Sequence, residues 1–356
     1  MRKYIEYLTA GFSFLYGLAG LYWAITGRAY PFGVGDPLMV DEGPDAIDAN
    51  LLGLSTPEVA GPIIAVLGFL GGIVALLMAR GVGRGGWRYA LLVPACLYAV
   101  VLMFVIQDYR PLVIVAYTPI LAVSKTFFGF PPDAGWGDLI QWPGANLTLL
   151  LLAGIGWAWT AMRYGRRGGE LDLVRFGRPA VIVAVVVPLV YCVTRWAWAL
   201  GWSVGLEEQM YREGVESGLW LGGAALATLG AGGALLTVGL LRPWGERFPR
   251  WMVGLAGKRV PINLAVVPAT IVAVLVTSAG VMYIRLAVAT GVEGKWVTNM
   301  PETLWPLWGL GLFVAALAYR QRRLATEKTA GGSAPGAAGV GGTPAAHAKP
   351  AGSSVR

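Results

Sequence analysis

Long apolar runs alternate with short polar segments along the whole chain. Eight runs match the roughly 20 residues a helix needs to cross about 30 Å of hydrocarbon: 5–27, 57–80, 89–108, 145–163, 179–202, 217–241, 261–285 and 304–320. Each predicts a transmembrane α-helix, because a segment in lipid must satisfy its backbone hydrogen bonds internally. A ninth apolar stretch, 112–124, is shorter, follows Pro111, contains Pro119 and ends near Lys125. That length predicts a re-entrant or interfacial segment. The sequence FFGFPPDAGWGDLIQW follows it, so the region near 111–143 is expected to form an ordered cap. A lid over a cavity and an interfacial aromatic belt both fit that composition. Residues 325–356 are rich in Gly, Ala and Pro and predict a disordered tail. The run at 5–27 is too long for a signal peptide and no A-x-A site follows it.

Composition agrees with this pattern. Hydrophobic residues make up 56% and charged residues 13%, whereas soluble domains carry about 25% charged residues. The 51 glycines suit close helix packing and the 15 tryptophans suit interfaces. Cys96 and Cys192 both lie in apolar runs and make no C-x-x-C. The single histidine, His347, stands in the tail, so neither a bis-His haem site, nor H-E-x-x-H, nor a His-based triad can be built within the spans. No cofactor or metal is expected. GVGRGG at Gly81–Gly86 follows a span instead of opening a βαβ unit, and GLAGK at Gly254–Lys258 lacks the Walker spacing.

Charge sets the expected topology. With eight spans, Arg2 and Lys3, the Arg80–Arg88 group, the Arg163–Arg178 cluster, the Arg242–Arg259 cluster and the basic residues after Arg320 share one side. The acids Asp36, Asp41, Glu42, Asp45 and Asp48, and the group Glu207, Glu208, Glu213 and Glu216, share the other. If 112–124 crossed, the Arg163–Arg178 cluster would invert. The positive-inside bias therefore predicts a multi-pass protein of an inner (plasma) membrane with both termini cytoplasmic. The net charge of +8 reads as topology plus attraction to anionic headgroups, so the bilayer is the expected partner and nucleic acid is not. The spacing of Asp41, Glu42, Asp45 and Asp48 is not that of a calcium loop.

The two halves echo each other. Tyr16, Trp23 and Ala24 match Tyr191, Trp198 and Ala199 at an offset of 175, and Gly61, Gly71 and Gly72 match Gly222, Gly232 and Gly233 at 161. Val93-Pro94-Ala95 matches Val267-Pro268-Ala269 at 174, and Gly154, Ala161, Arg163 and Arg166 match Gly311, Ala318, Arg320 and Arg323 at 157. The expected fold is all-α, with two parallel four-helix repeats at 1–168 and 169–324. An even number of spans per repeat implies a pseudo-two-fold axis along the membrane normal, with any cavity between the halves. Duplication into a larger, more stable bundle explains the pattern equally well.

The stretches Tyr191–Gly201 (YCVTRWAWALG) and Arg242–Ala269 (RPWGERFPRWMVGLAGKRVPINLAVVPA) resemble a group of uncharacterised integral membrane proteins of high-GC actinobacteria. The resemblance covers most of the chain outside the tail and implies a source and a fold, without a mechanism. The first helix departs from the pattern at Gly20, which stands where the fifth has Arg195.

A charge inside a span is a default functional candidate. Arg195 stands seven residues from the expected end of the fifth helix, about 10 Å down. Tyr191, Trp196 and Trp198 are its aromatic neighbours, and Asp108, Glu58, Asp138 and Glu302, all near outer helix ends, are its candidate partners. Arg285 ends the seventh helix where Asp108 and Arg110 end the third, and Pro94, Pro188 and Pro268 lie within spans. The ligand-binding candidates are therefore Arg195, Asp108, Glu58, Asp138, Arg285, Trp198 and Tyr191, with no catalytic set. Three functions fit: a small-solute transporter or membrane ligand-binding protein with a site between the repeats near the outer face, a non-catalytic accessory or scaffolding subunit with a membrane protein partner, and an enzyme acting on lipid, for which no D-D-x-x-D is present.

Overall fold

The computed structural model describes residues 4–41, 50–83, 85–129, 135–165, 172–290 and 301–332. Helix accounts for 79% of the structure, and no strand forms among the described residues. The helices, in chain order, are α1 (Ile5–Thr26), α2 (Pro37–Asp41), α3 (Pro57–Ala79), α4 (Trp87–Val100, continued by a π-turn at Val101–Val105), α5 (Arg110–Phe128), α6 (Trp136–Leu139), α7 (Trp142–Gly165), α8 (Gly177–Ala199), α9 (Glu208–Glu216), α10 (Leu219–Gly239), α11 (Ile262–Thr290) and α12 (Trp305–Gly332, preceded by a helical turn at 301–303).

Eight of these, α1, α3, α4, α7, α8, α10, α11 and α12, are long and apolar enough to cross a membrane. The chain is a multi-pass membrane protein. Among the boundaries that differ from the hydropathy pattern, three bear on the candidate residues or the tail. The fifth span ends at Ala199 because Gly201 adopts φ +102°. The Trp202 N–H then bonds to Ala197 O at 2.9 Å and the Gly201 N–H to Trp198 O at 3.3 Å, a Schellman stop. Arg195 is thus four residues from its helix end, about 6 Å down, not seven. The seventh span extends past Arg285 to Ala289. The last helix continues beyond 325 to Gly332, because QRRLATEK is made largely of good helix formers. The rest of the expected tail, 333–356, lies outside the described residues, as do 166–171 at the expected repeat boundary and Glu42, Asp45 and Asp48.

The stretch expected to be short and apolar is the middle of α5, a 19-residue helix with Arg110 at one end and Lys125 near the other. It is not among the eight membrane-competent helices.

Side chains tie the helix ends into two sets. At the basic end, Arg163 pairs with Glu6 at 3.2 Å, Arg88 donates to Gly165 O at 2.9 Å, and Arg323 donates to Val260 O at 3.1 Å. Leu173 N–H donates to the Gln321 side chain at 2.9 Å and Arg322 to Leu240 O at 2.7 Å. At the acidic end, the Trp142 indole donates to Ala29 O at 2.9 Å, and Arg110 pairs with Asp36 at 2.7 Å.

Within the first half, α1 and α3 pack most closely. A Cβ on Gly20 would lie 2.7 Å from Ala65 N, one on Gly61 2.8 Å from Ala24 N, and one on Gly17 3.1 Å from Phe69 N. Small residues on both faces bring the backbones together, which is how helices associate in lipid. In the second half, α8 packs on α10 and α12, and α11 on α12. The halves meet where the π-turn of α4 lies on α11, through Met103, Leu151, Val274 and Leu275.

Candidate functional site

The π-turn leaves carbonyls of α4 without their usual i+4 donors, since Ile106 N–H returns to Val101 O. Helix α11 supplies replacements across the junction. Ser278 donates to Met103 O at 2.6 Å, and Arg285 donates to Val105 O and, at 2.6 Å, to Gln107 O. Arg285, a candidate ligand residue on sequence grounds, is therefore occupied in capping α4.

Beside this junction the Asp108 carboxylate receives the backbone N–H of Arg110 at 2.8 Å and its guanidinium at 2.7 Å. The same guanidinium reaches Asp36 in the loop after α1. Burial works against the Arg110 charge, but Asp108 and Asp36 outweigh it and hold the group above its ordinary range. This clasp floors a shallow cleft lined by Phe32, Asp36, Met39, Asn50, Arg110 and Leu147.

Arg195 takes a different partner. Among its four candidate acids, Glu302 is the one that meets it, in an ion pair with Glu302 buried and Arg195 largely so. Asp108 is committed to the clasp. Glu58 is exposed in the first turn of α3. Asp138 accepts the Gly135 N–H at 2.6 Å and caps the short helix α6. No ion pair joins those three acids to Arg195 among the described residues.

The pair sits between α8, α11 and α12. Tyr191, Arg195 and Trp198 share one face of α8 at helical spacing. The guanidinium lies 4.7 Å from the Tyr191 ring centre and 4.2 Å from that of Trp198, cation–π distances both. Across the helix interface is Gly223 of α10, where a Cβ would stand 3.6 Å from Arg195 Cδ, so the long side chain lies beside a residue with none. Glu302 occupies the opening turn of the last helix, after Pro301 at the position where proline is tolerated. The partial positive charge of a helix N-terminus favours a carboxylate there.

Trp305, one turn further on, closes the wall. Its ring is edge-on to Tyr191 at 5.5 Å and to Tyr283 of α11 at 5.7 Å. Tyr109 and Leu112 of the first half pack onto the same cluster. On the loop side, Trp198 meets Trp220, and Trp220 stacks on Tyr211 of α9.

Glu302 is only 3% exposed. One of its oxygens takes Arg195. The other, Oε2, makes no hydrogen bond among the described residues, and neither does the buried indole N–H of Trp305. Among the described residues, an acceptor and a donor three residues apart in sequence thus make no hydrogen bond. Sequence reasoning missed Trp305 and Tyr283: each reads as an ordinary interfacial aromatic until the partner of Arg195 is known. The spacing of Glu302 and Trp305, i and i+3 at a helix start, is the signal available in hindsight. Gln107 Oε1 and Asn146 Nδ2 are among the other buried polar atoms that make no hydrogen bond among the described residues. Comparison with protein-family models, with curated proteins and with solved structures gives no match to this chain.

Proposed function

We propose that the protein binds, and carries across the membrane, a small zwitterionic solute at the Arg195–Glu302 pair. The carrying observation is the buried carboxylate of Glu302, with one oxygen on Arg195 and the other without a hydrogen bond among the described residues, three residues before Trp305, whose buried N–H likewise makes none among them. Charge balance selects the ligand class. A cation or an anion entering at the pair would leave one charge uncompensated in a low-dielectric site, at a cost of several kcal/mol. A zwitterion inserted between the partners gives its anionic group to Arg195 and Trp305 and its cationic group to Glu302. One internal ion pair is exchanged for two external ones.

The comparison of the halves supports a specialised role. The residue matching Arg195 in the first helix is Gly20, and there the helices close up, with room for nothing between α1 and α3. The polar contact near the matching place is neutral: Tyr16 donates to Asn146 at 3.0 Å. In the reading of the chain as two parallel repeats, one copy kept the tight packing and the other gained the charged site. With the basic loops read as cytoplasmic by the positive-inside bias, the site lies near the outer face of an inner membrane in this proposal.

The test is a thermal-stability screen of purified protein against amino acids and betaines, with singly charged analogues as controls. At a concentration 100 times Kd, a ligand adds about 2.7 kcal/mol. Stabilisation is expected from zwitterions alone and is expected to vanish in Glu302→Gln.

A second reading, a non-catalytic accessory subunit, has one observation in its favour. Gly232 and Gly233 on α10 are exposed, and a Cβ on either would meet nothing within 4 Å. Small residues on a lipid-facing helix suit the approach of a partner helix. Recovery of a stoichiometric second membrane protein with an unresponsive thermal screen would favour this reading.

A further inference from the structure

The connection between α10 and α11 is an ordered hairpin at the basic end. Phe248 N–H donates to Lys258 O at 3.0 Å, Gly257 N–H to Phe248 O at 3.0 Å and Val260 N–H to Glu246 O at 2.9 Å, with a bridge between Arg247 and Arg259. Within the tip, Ala256 N–H returns to Met252 O at 2.8 Å, and Gly254 and Gly257 take positive φ to close the turn. The last helix clamps the base: Tyr319 donates to Gly245 O at 2.8 Å, Arg322 pairs with Glu246 at 3.2 Å, and Arg323 holds Val260 O. The hairpin is a fixed projection.

What it projects is apolar and basic together. Trp251 is 77% exposed and Val253 97%, with Leu255 exposed beside them. Arg242, Arg247, Arg250, Lys258 and Arg259 are all exposed around them. The one acid in the segment, Glu246, is engaged by Arg322. Because the hairpin joins two membrane-competent helices, connectivity holds it at a membrane surface.

We propose that this hairpin is a recognition element for anionic phospholipid, with Trp251 and Val253 entering the headgroup region and the basic residues around them binding phosphate. Tryptophan and aliphatic side chains flanked by Arg and Lys are the combination that partitions to an anionic interface. A soluble acidic protein would satisfy the charges and leave the apolar tip in water. A neutral protein groove would cover the tip and leave the charges unanswered.

The test places a spin label at Val253→Cys in the full chain carrying Cys96→Ser; Cys192 is buried and stays unlabelled. The protein is reconstituted in nanodiscs of phosphatidylcholine alone or of phosphatidylcholine mixed with phosphatidylglycerol. Collision with oxygen is expected to rise, and collision with a water-soluble nickel chelate to fall, only in the anionic discs. Changing Arg247, Arg250, Lys258 and Arg259 together to Gln is expected to return the label to water, since each basic residue near an anionic surface contributes roughly fivefold in partition. Trp251→Gln alters an exposed side chain, leaves the helices intact and is expected to weaken insertion in the same discs. A label in water in both discs overturns the proposal, as does equal burial in both, which would be apolar insertion without anion recognition. Label–label broadening from a second copy seated on the hairpin overturns it too.

Discussion

Replacing Arg195 with Leu strips a buried carboxylate of its counter-charge. The side chains of Arg195 and Glu302 are 11% and 4% exposed, so neither is screened by solvent to the extent that makes surface pairs weak. Removing one partner of such a pair costs about 3–5 kcal/mol, because the survivor remains charged in low dielectric. The two ring faces that flank the guanidinium add about 1–2 kcal/mol to the loss. Glu302→Leu takes the paired carboxylate from the guanidinium instead and should cost a similar amount. The double variant leaves no charge behind and restores an apolar contact, so it is expected within about 1 kcal/mol of the parent, or above it. The four proteins form a double-mutant cycle with a coupling energy of at least about 3 kcal/mol. Reversible unfolding in mixed micelles with increasing dodecyl sulfate, followed by tryptophan fluorescence, measures each corner. Single variants that lose less than about 1 kcal/mol and add up in the double would mean the pair is solvated, and the ligand-exchange scheme would fall with it.

Gly20→Val pushes a side chain into a backbone contact at 2.7 Å and is expected to cost about 1–3 kcal/mol in the same assay, whereas Gly232→Ala, which faces open space, should stay within about 0.5 kcal/mol. Arg285→Met withdraws the donors from Val105 O and Gln107 O and is expected to cost about 2–5 kcal/mol; full stability in that variant would show that α4 caps itself. Burial against Phe32 and Trp23 raises the Tyr30 phenol above its ordinary range, so its contribution is complete below pH 10 and is lost as pH rises through the folded value. Phenolate absorbance near 295 nm, compared with Tyr30→Phe, reads that step, and ionisation of Tyr30 at the ordinary phenol value would contradict its burial.

The spans were legible because lipid demands long, continuous apolar helices, and that demand is written residue by residue. Their ends were less so. Gly201 reads as one more small residue in a Gly-rich chain until its positive φ ends α8, and QRRLATEK reads as the start of a tail although its helix propensity carries α12 onward. Arg195 stood out as a charge in a span, and Glu302 was among its possible partners. Hydropathy has no term for which of four acids meets it, since that depends on helix rotation about α8 and α12. The role of Arg285 was hidden for another reason. It answers a π-turn in α4, and nothing in VLMFV announces a skipped hydrogen bond. Tyr283 and Trp305 gained meaning only from the pair they enclose.

The most direct test of solute binding at Arg195–Glu302 is native mass spectrometry of protein gently extracted from its own host membrane, run beside Arg195→Leu. A retained small zwitterion, stoichiometric with the chain and absent from the variant, is the expected result. Parent protein that carries no small molecule and flies instead with a second membrane protein would contradict it and make the buried pair a structural element of an accessory subunit.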